Sequence, residues 1–133
     1  MKLVKQSQRY SCVLACIAML ANKDEQEIIE NTGRNFYTSG SDIEEVLEYT
    51  NRWLDVIEYS GRIWPLKEND LPEVCIISIV SSDCVGGHGN GHAIVKYKDK
   101  YYNPGSETGI TKNIPAFKSG RKRFARWYIS VKI

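Results

Sequence analysis

From Cys12 to Ala21 every position is apolar, with no polar face. A helix patterned this way is buried in the centre of a domain. Ser11 before it is an N-cap residue type, and Asn22 with Lys23 suits its C-terminal end. Residues 24–31 predict a short second helix, capped by Asp24, with Gly33 shortly after its end. Ser41, Asp42, Ile43 and Glu44 form a capping box, with Ser41 at the N-cap and Glu44 at N3. The third helix begins there, with an apolar stripe of Ile43, Val46, Leu47 and then Trp53 or Leu54.

Beyond the third helix the period changes. Val56, Ile57, Glu58 and Tyr59 predict a short strand. Residues 73–80 are a continuous, mostly β-branched run, the pattern of a strand covered on both faces. A turn-forming segment rich in glycine fills 81–91. Residues 92–98 read as a strand, Asp99-Lys100 as a tight turn, and Tyr101, Tyr102 and Asn103 as the returning arm of a hairpin. In 126–133, Trp127, Ile129, Val131 and Ile133 alternate with Arg126, Tyr128, Ser130 and Lys132, as in a half-buried strand.

Helices first and antiparallel strands second predict the α+β class. No repeat, low-complexity tract or linker interrupts the chain, so 1–133 reads as one domain. At 133 residues and 42% hydrophobic content the chain can build a core without staples, so Cys12, Cys16, Cys75 and Cys84 are expected as free thiols. The net charge of +2 gives no push toward nucleic acid. No segment reaches the ~20 apolar residues of a membrane span, and the first apolar run lacks a signal-peptide cleavage site. The expectation is a chain made in the cytosol and free of the membrane, open to later export by a route that needs no such signal.

Cys12 stands where the buried helix begins, with Gln6 six residues before it. Helix N-termini favour the thiolate, which is the nucleophilic form of cysteine. His92, opening an apolar strand, is the candidate base, and Asn103 the group that orients it through the other ring nitrogen. Hairpin pairing across the Asp99-Lys100 turn brings the two within one or two register positions. The backbone N–H of Cys12 is one donor for a developing oxyanion. The second is the side-chain amide of Gln6, with Gln8 as a rival of the same chemistry.

These residues resemble the papain-like cysteine peptidases, which carry an oxyanion glutamine six residues ahead of the nucleophile. Within that fold the chain is most similar to the double-glycine peptidase domains that process bacteriocin leader peptides. The likeness rests on Gln6, Cys12, Ala15-Cys16 and the apolar residues Ile17, Ala18, Met19 and Leu20, then His92-Ala93-Ile94-Val95 and Asn103-Pro104. It departs from that family at Ser11 and Val13, usually Asp and Gly, and at Asn103, usually Asp. The resemblance implies a papain-like fold with Cys12 as nucleophile, His92 as base, Asn103 as orienting residue and Gln6 as oxyanion donor. It implies hydrolysis of a peptide bond in a polypeptide, with cleavage after glycine as the double-glycine likeness suggests, without metal or organic cofactor. A small untethered domain of this kind is also similar to toxin domains of interbacterial secretion systems, which implies delivery into another cell and an immunity or inhibitor protein that blocks the site.

Other readings compete at several positions. Cys16 and Cys75 read as core residues. Cys84, His88 and His92 are evenly spaced, but zinc needs convergent ligands and no fourth is evident. The 86–91 segment precedes a strand, not a helix, so it reads as a loop bordering the substrate groove, with Gly89 and Gly91 admitting a peptide backbone. The basic 118–123 run reads as a solvated turn. Trp53 and Trp64 fit either core or groove wall. The same site also suits a thiol amidase, deamidase or transglutaminase, and a non-catalytic binding module of the same fold is the third alternative.

Overall fold

The computed structural model describes residues 1–63, 66–79, 92–105, 109–114 and 125–132. The expectations placed on Trp64, Cys84, His88, Gly89, Gly91 and the 118–123 run lie outside those residues.

Three helices precede the sheet. The first, α1 (Cys12–Ala21), is buried from Val13 to Met19, as its unbroken apolar sequence requires. It stops where Asn22 turns left-handed at φ 55 and gives its N–H to the Ala18 carbonyl. The second, α2 (Glu25–Thr32), buries Ile28 and Ile29 and ends at Gly33, φ 76. The third, α3 (Ile43–Trp53), starts one residue later than its sequence suggests. Asp42, not Ser41, accepts the N3 amide, from Glu45 at 2.9 Å, and the Glu45 carboxylate accepts the Asp42 N–H at 3.2 Å. A carboxylate is the better partner for the positive end of the helix, and Glu45 is held further by Arg34 and Tyr49. Asp42→Ala should therefore destabilise the fold by about 1 kcal/mol, read from urea denaturation, while Ser41→Ala should not. The stripe also runs wider than the apolar letters suggest: Tyr49 and Thr50 are buried with Val46, and the Thr50 hydroxyl is satisfied by the Val46 carbonyl at 2.7 Å.

Six strands form one antiparallel sheet: β1 (Asp55–Ser60), β2 (Val74–Ile79), β3 (His92–Tyr97), β4 (Lys100–Tyr102), β5 (Ile110–Thr111) and β6 (Ala125–Lys132), in the order β1-β6-β2-β3-β4-β5. The class is α+β, as expected. β2 lies inside the sheet and is covered on both faces. Ile76 joins the helix-side core of Leu14, Ile17 and Ile28, while Cys75, Ile77 and Ile79 join a second cluster with Ile94 and Tyr101. On β6, Trp127, Ile129 and Val131 pack toward the helices, as alternation predicts. The opposite face is less exposed than its polar letters imply, because Ser130 is buried between β1 and β2. β5 has no counterpart in the sequence reading, since two residues carry too little periodicity to be seen.

The β3–β4 hairpin turns at Lys98-Asp99, one residue earlier than expected. Tyr97 pairs with Lys100, Lys98 adopts φ 57, and its N–H is held by the Glu73 carbonyl at 2.7 Å. The paired register ends at Val95 with Tyr102, and Asn103, just beyond it, reaches His92 through its side chain. Among the described residues no helix is long and apolar enough to cross a membrane.

Candidate active site

The tip of α1, the first residue of β3 and the chain leaving β4 meet at one end of the sheet. The N-terminal segment ties them, since the Gln6 N–H donates to the Pro104 carbonyl at 3.0 Å. The loop before Cys12 is held to the 33–37 segment as well, through Tyr10 N–H on the Phe36 carbonyl at 2.8 Å and Phe36 N–H on Gln8 Oε1 at 2.6 Å.

His92 is buried, and its Nε2 lies 2.8 Å from Asn103 Oδ1. The protonation of this pair follows from a third group. Gly105 N–H, which can only donate, meets the same Asn103 oxygen at 2.9 Å. That atom is therefore the amide oxygen, Nε2 must carry the ring proton, and Nδ1 is left with its lone pair free to accept one. This is the tautomer a general base needs. Burial pushes the His92 pKa below 6.5, partly offset by the Asn103 bond.

Cys12 is partly exposed at the helix tip, whereas Cys16 and Cys75 are buried; all three are free thiols. Backbone N–H groups of Ala93, Val13 and Cys12 itself point at the Cys12 sulfur and favour the thiolate. Burial outweighs them and raises the thiol, with the Glu25 charge adding to the rise. Helix-tip activation is thus present but is not the larger effect. Ala93 is the residue next to His92, so the sulfur rests against the strand that carries the imidazole. No hydrogen bond joins Sγ to the ring in this resting state, and such bonds commonly tighten only when substrate binds.

Gln6 is beside His92, but its amide is turned away from an oxyanion role. Nε2 donates to the carbonyls of Gln8 at 3.1 Å and Arg9 at 2.9 Å, which commits both amide hydrogens. Its Oε1 is buried without a hydrogen-bond partner. Gln8, the rival, is anchored by its side-chain oxygen, which accepts the Phe36 N–H.

Sequence reasoning missed two residues here. A Cβ on Gly105 would lie 2.8 Å from His92 Cε1, 3.0 Å from its Nε2 and 3.2 Å from Gln6 Oε1, so only glycine lets imidazole and amide approach. Glycine after Asn103-Pro104 reads as an ordinary turn, and nothing local marks the ring above it. Glu25 is the other: a first-turn glutamate normally faces water, yet this one is buried.

The buried groups fix how stability depends on pH. Unfolded His92 takes its proton near 6.5, the folded residue only below that value, so stability falls as pH drops through this window. Unfolded Cys75 ionises near 9.0 but the folded thiol only at about 12, so stability falls as pH rises from 9.0. Cys12 and Cys16, also raised, act in the same direction. The urea midpoint should be highest near neutrality, lower at about pH 5 and at about pH 10. Cys75→Ala should flatten the alkaline fall.

Fold and site together define an α+β domain with a thiol at a helix tip and a tautomer-fixed imidazole on the adjoining strand. No protein-family model, curated protein or solved structure matches the chain. Among the described residues no group of three or more histidine, cysteine or acidic side chains gathers as a metal site.

Proposed function

We propose that the chain is a papain-like cysteine peptidase that cleaves a polypeptide through a thioester on Cys12. The observation that carries this reading is the double acceptance at Asn103 Oδ1, which leaves His92 Nδ1 as a base beside the helix tip. In the reaction the Cys12 Sγ proton passes to Nδ1 as sulfur adds to the scissile carbonyl. The amine leaves with that proton, giving the thioester. Nδ1 then takes a proton from water as its oxygen adds to the thioester carbonyl; the C–S bond breaks, the departing sulfur takes that proton back to restore the thiol, and the carboxylic acid product leaves. A thiol held protonated at rest and an imidazole held neutral fit this sequence, since proton transfer then accompanies attack.

The Cys12 backbone N–H serves the oxyanion. Gln6 joins it on releasing one of its two carbonyl bonds, at a cost of about 1 kcal/mol set against the charge-assisted bond it gains.

The test is incubation of the protein with a defined peptide mixture that includes Gly-Gly sequences, read by mass spectrometry. Peptidase action gives two fragments whose masses sum to the parent plus one water. A gain of about one dalton without fragments marks a deamidase, and a crosslinked product a transglutaminase. A mixture left unchanged while Cys12 alkylates no faster than Cys16 overturns the reading and favours a binding module.

A further inference from the structure

Glu25 is the buried acid that the proposed chemistry leaves unused. It is 7% exposed at the start of α2, yet its carboxylate reaches across to the loop that precedes Cys12. Ser7 N–H meets both of its oxygens, at 3.0 and 3.2 Å, and the Ser11 hydroxyl lies 2.9 Å from Oε2. The Ser11 oxygen, wholly buried, accepts the Gln8 N–H in turn at 3.1 Å. One carboxylate thus organises the backbone at Ser7 and Gln8 and the residue before the nucleophile.

We propose that Glu25 is a positioning residue, clamping the 6–11 loop, and with it Gln6 and the approach to Cys12, onto the tip of α1. The importance of this clamp to catalysis rests on the peptidase reading; the clamp itself does not. The choice of acid over amide supports it. A buried carboxylate carries a desolvation penalty that its hydrogen bonds must offset. Glutamine would avoid that penalty, but its amide nitrogen cannot accept from Ser7 while its oxygen accepts from Ser11. A glutamine oxygen in place of Oε2 could accept from both, but its NH2 would then face the Ser7 N–H where Oε1 now accepts at 3.0 Å, donor against donor, and the first turn of α2 favours the charge. The same charge acts on Cys12 and Cys16 of α1 and contributes to holding both thiols protonated. On α3, the buried Tyr49 donates its hydroxyl to the partly exposed Glu45 carboxylate.

The experiment separates reach from charge in the full chain and needs no substrate. Glu25→Asp keeps the charge but shortens the arm. The Ser7 amide should then exchange with deuterium at least about tenfold faster, with amides in β2 unchanged. Glu25→Gln removes the charge. The pH midpoint for Cys12 alkylation by iodoacetamide, located by peptide mass mapping, should move down. A purely structural acid would not shift that midpoint. Ser7 exchange unchanged in Glu25→Asp, or a midpoint unmoved in Glu25→Gln, overturns the proposal. If Glu25→Gln does not fold, Ser11→Ala takes its place: faster exchange at both Ser7 and Gln8 supports the clamp, and unaltered exchange overturns it. Because neither readout involves peptide cleavage, failure of the clamp and failure of the peptidase reading are distinct results.

Discussion

Cys12→Ala will keep the circular dichroism and thermal midpoint of the unaltered protein and lose cleavage by about 10,000-fold or more. The fold should hold because the residue is only partly buried and the change removes a single sulfur atom. Activity should vanish because Cys16 and Cys75, the other described thiols, are buried and raised further, Cys75 to about 12. His92→Ala should abolish cleavage equally but at a structural cost. The ring is buried and bonded to Asn103, so its loss leaves a cavity and a weakened Asn103, together about 1–3 kcal/mol. The two variants therefore diverge in stability while agreeing in activity. Both are checked by the peptide mixture and by thermal unfolding. Cleavage surviving in Cys12→Ala at the unaltered rate would sink the thioester mechanism.

The second large effect belongs to a residue with no side chain. Gly105→Ala should reduce cleavage by about 100-fold or more, a loss of geometry rather than of chemistry. The new methyl would sit 2.8 Å from His92 Cε1. The ring has little room to yield, being buried and held at Nε2. If the ring swings away, the Asn103 bond breaks. If the chain shifts instead, the Gly105 N–H and the Gln6-to-Pro104 bond are disturbed. Either course loosens the base, with an overpacking cost of about 1–3 kcal/mol. Gly40→Ala is the control, because its Cβ would meet Tyr10 at an ordinary 3.8 Å. Equal activity in the two alanine variants would show that the ring tolerates the methyl.

The sequence was most legible where one pattern had one solution. The unbroken apolar run of α1 fits only a buried helix, the continuous run of β2 only a strand covered on both faces, and the alternation of β6 only a strand with one core face. It was less legible where neighbours were chemically equivalent. Ser41 and Asp42 both cap, and Glu44 and Glu45 both complete a capping box, so propensity could not choose between them. The hairpin turn slipped by one residue because a contact distant in sequence, Lys98 on Glu73, selects it.

For the candidate site, residue order was enough to nominate Cys12, His92 and Asn103, since helix tip and strand start are local properties. Periodicity likewise determined the α+β class. The direction of each polar group was a tertiary matter. Which ring nitrogen of His92 holds the proton depends on Gly105; where the Gln6 amide points depends on the Gln8 and Arg9 carbonyls; whether Glu25 is solvated depends on Ser7 and Ser11. Hydrophobic pattern reports which face of an element is buried, because burial is summed over many residues and has no direction. A hydrogen bond is made between two atoms at one distance and angle, and only the folded chain supplies both.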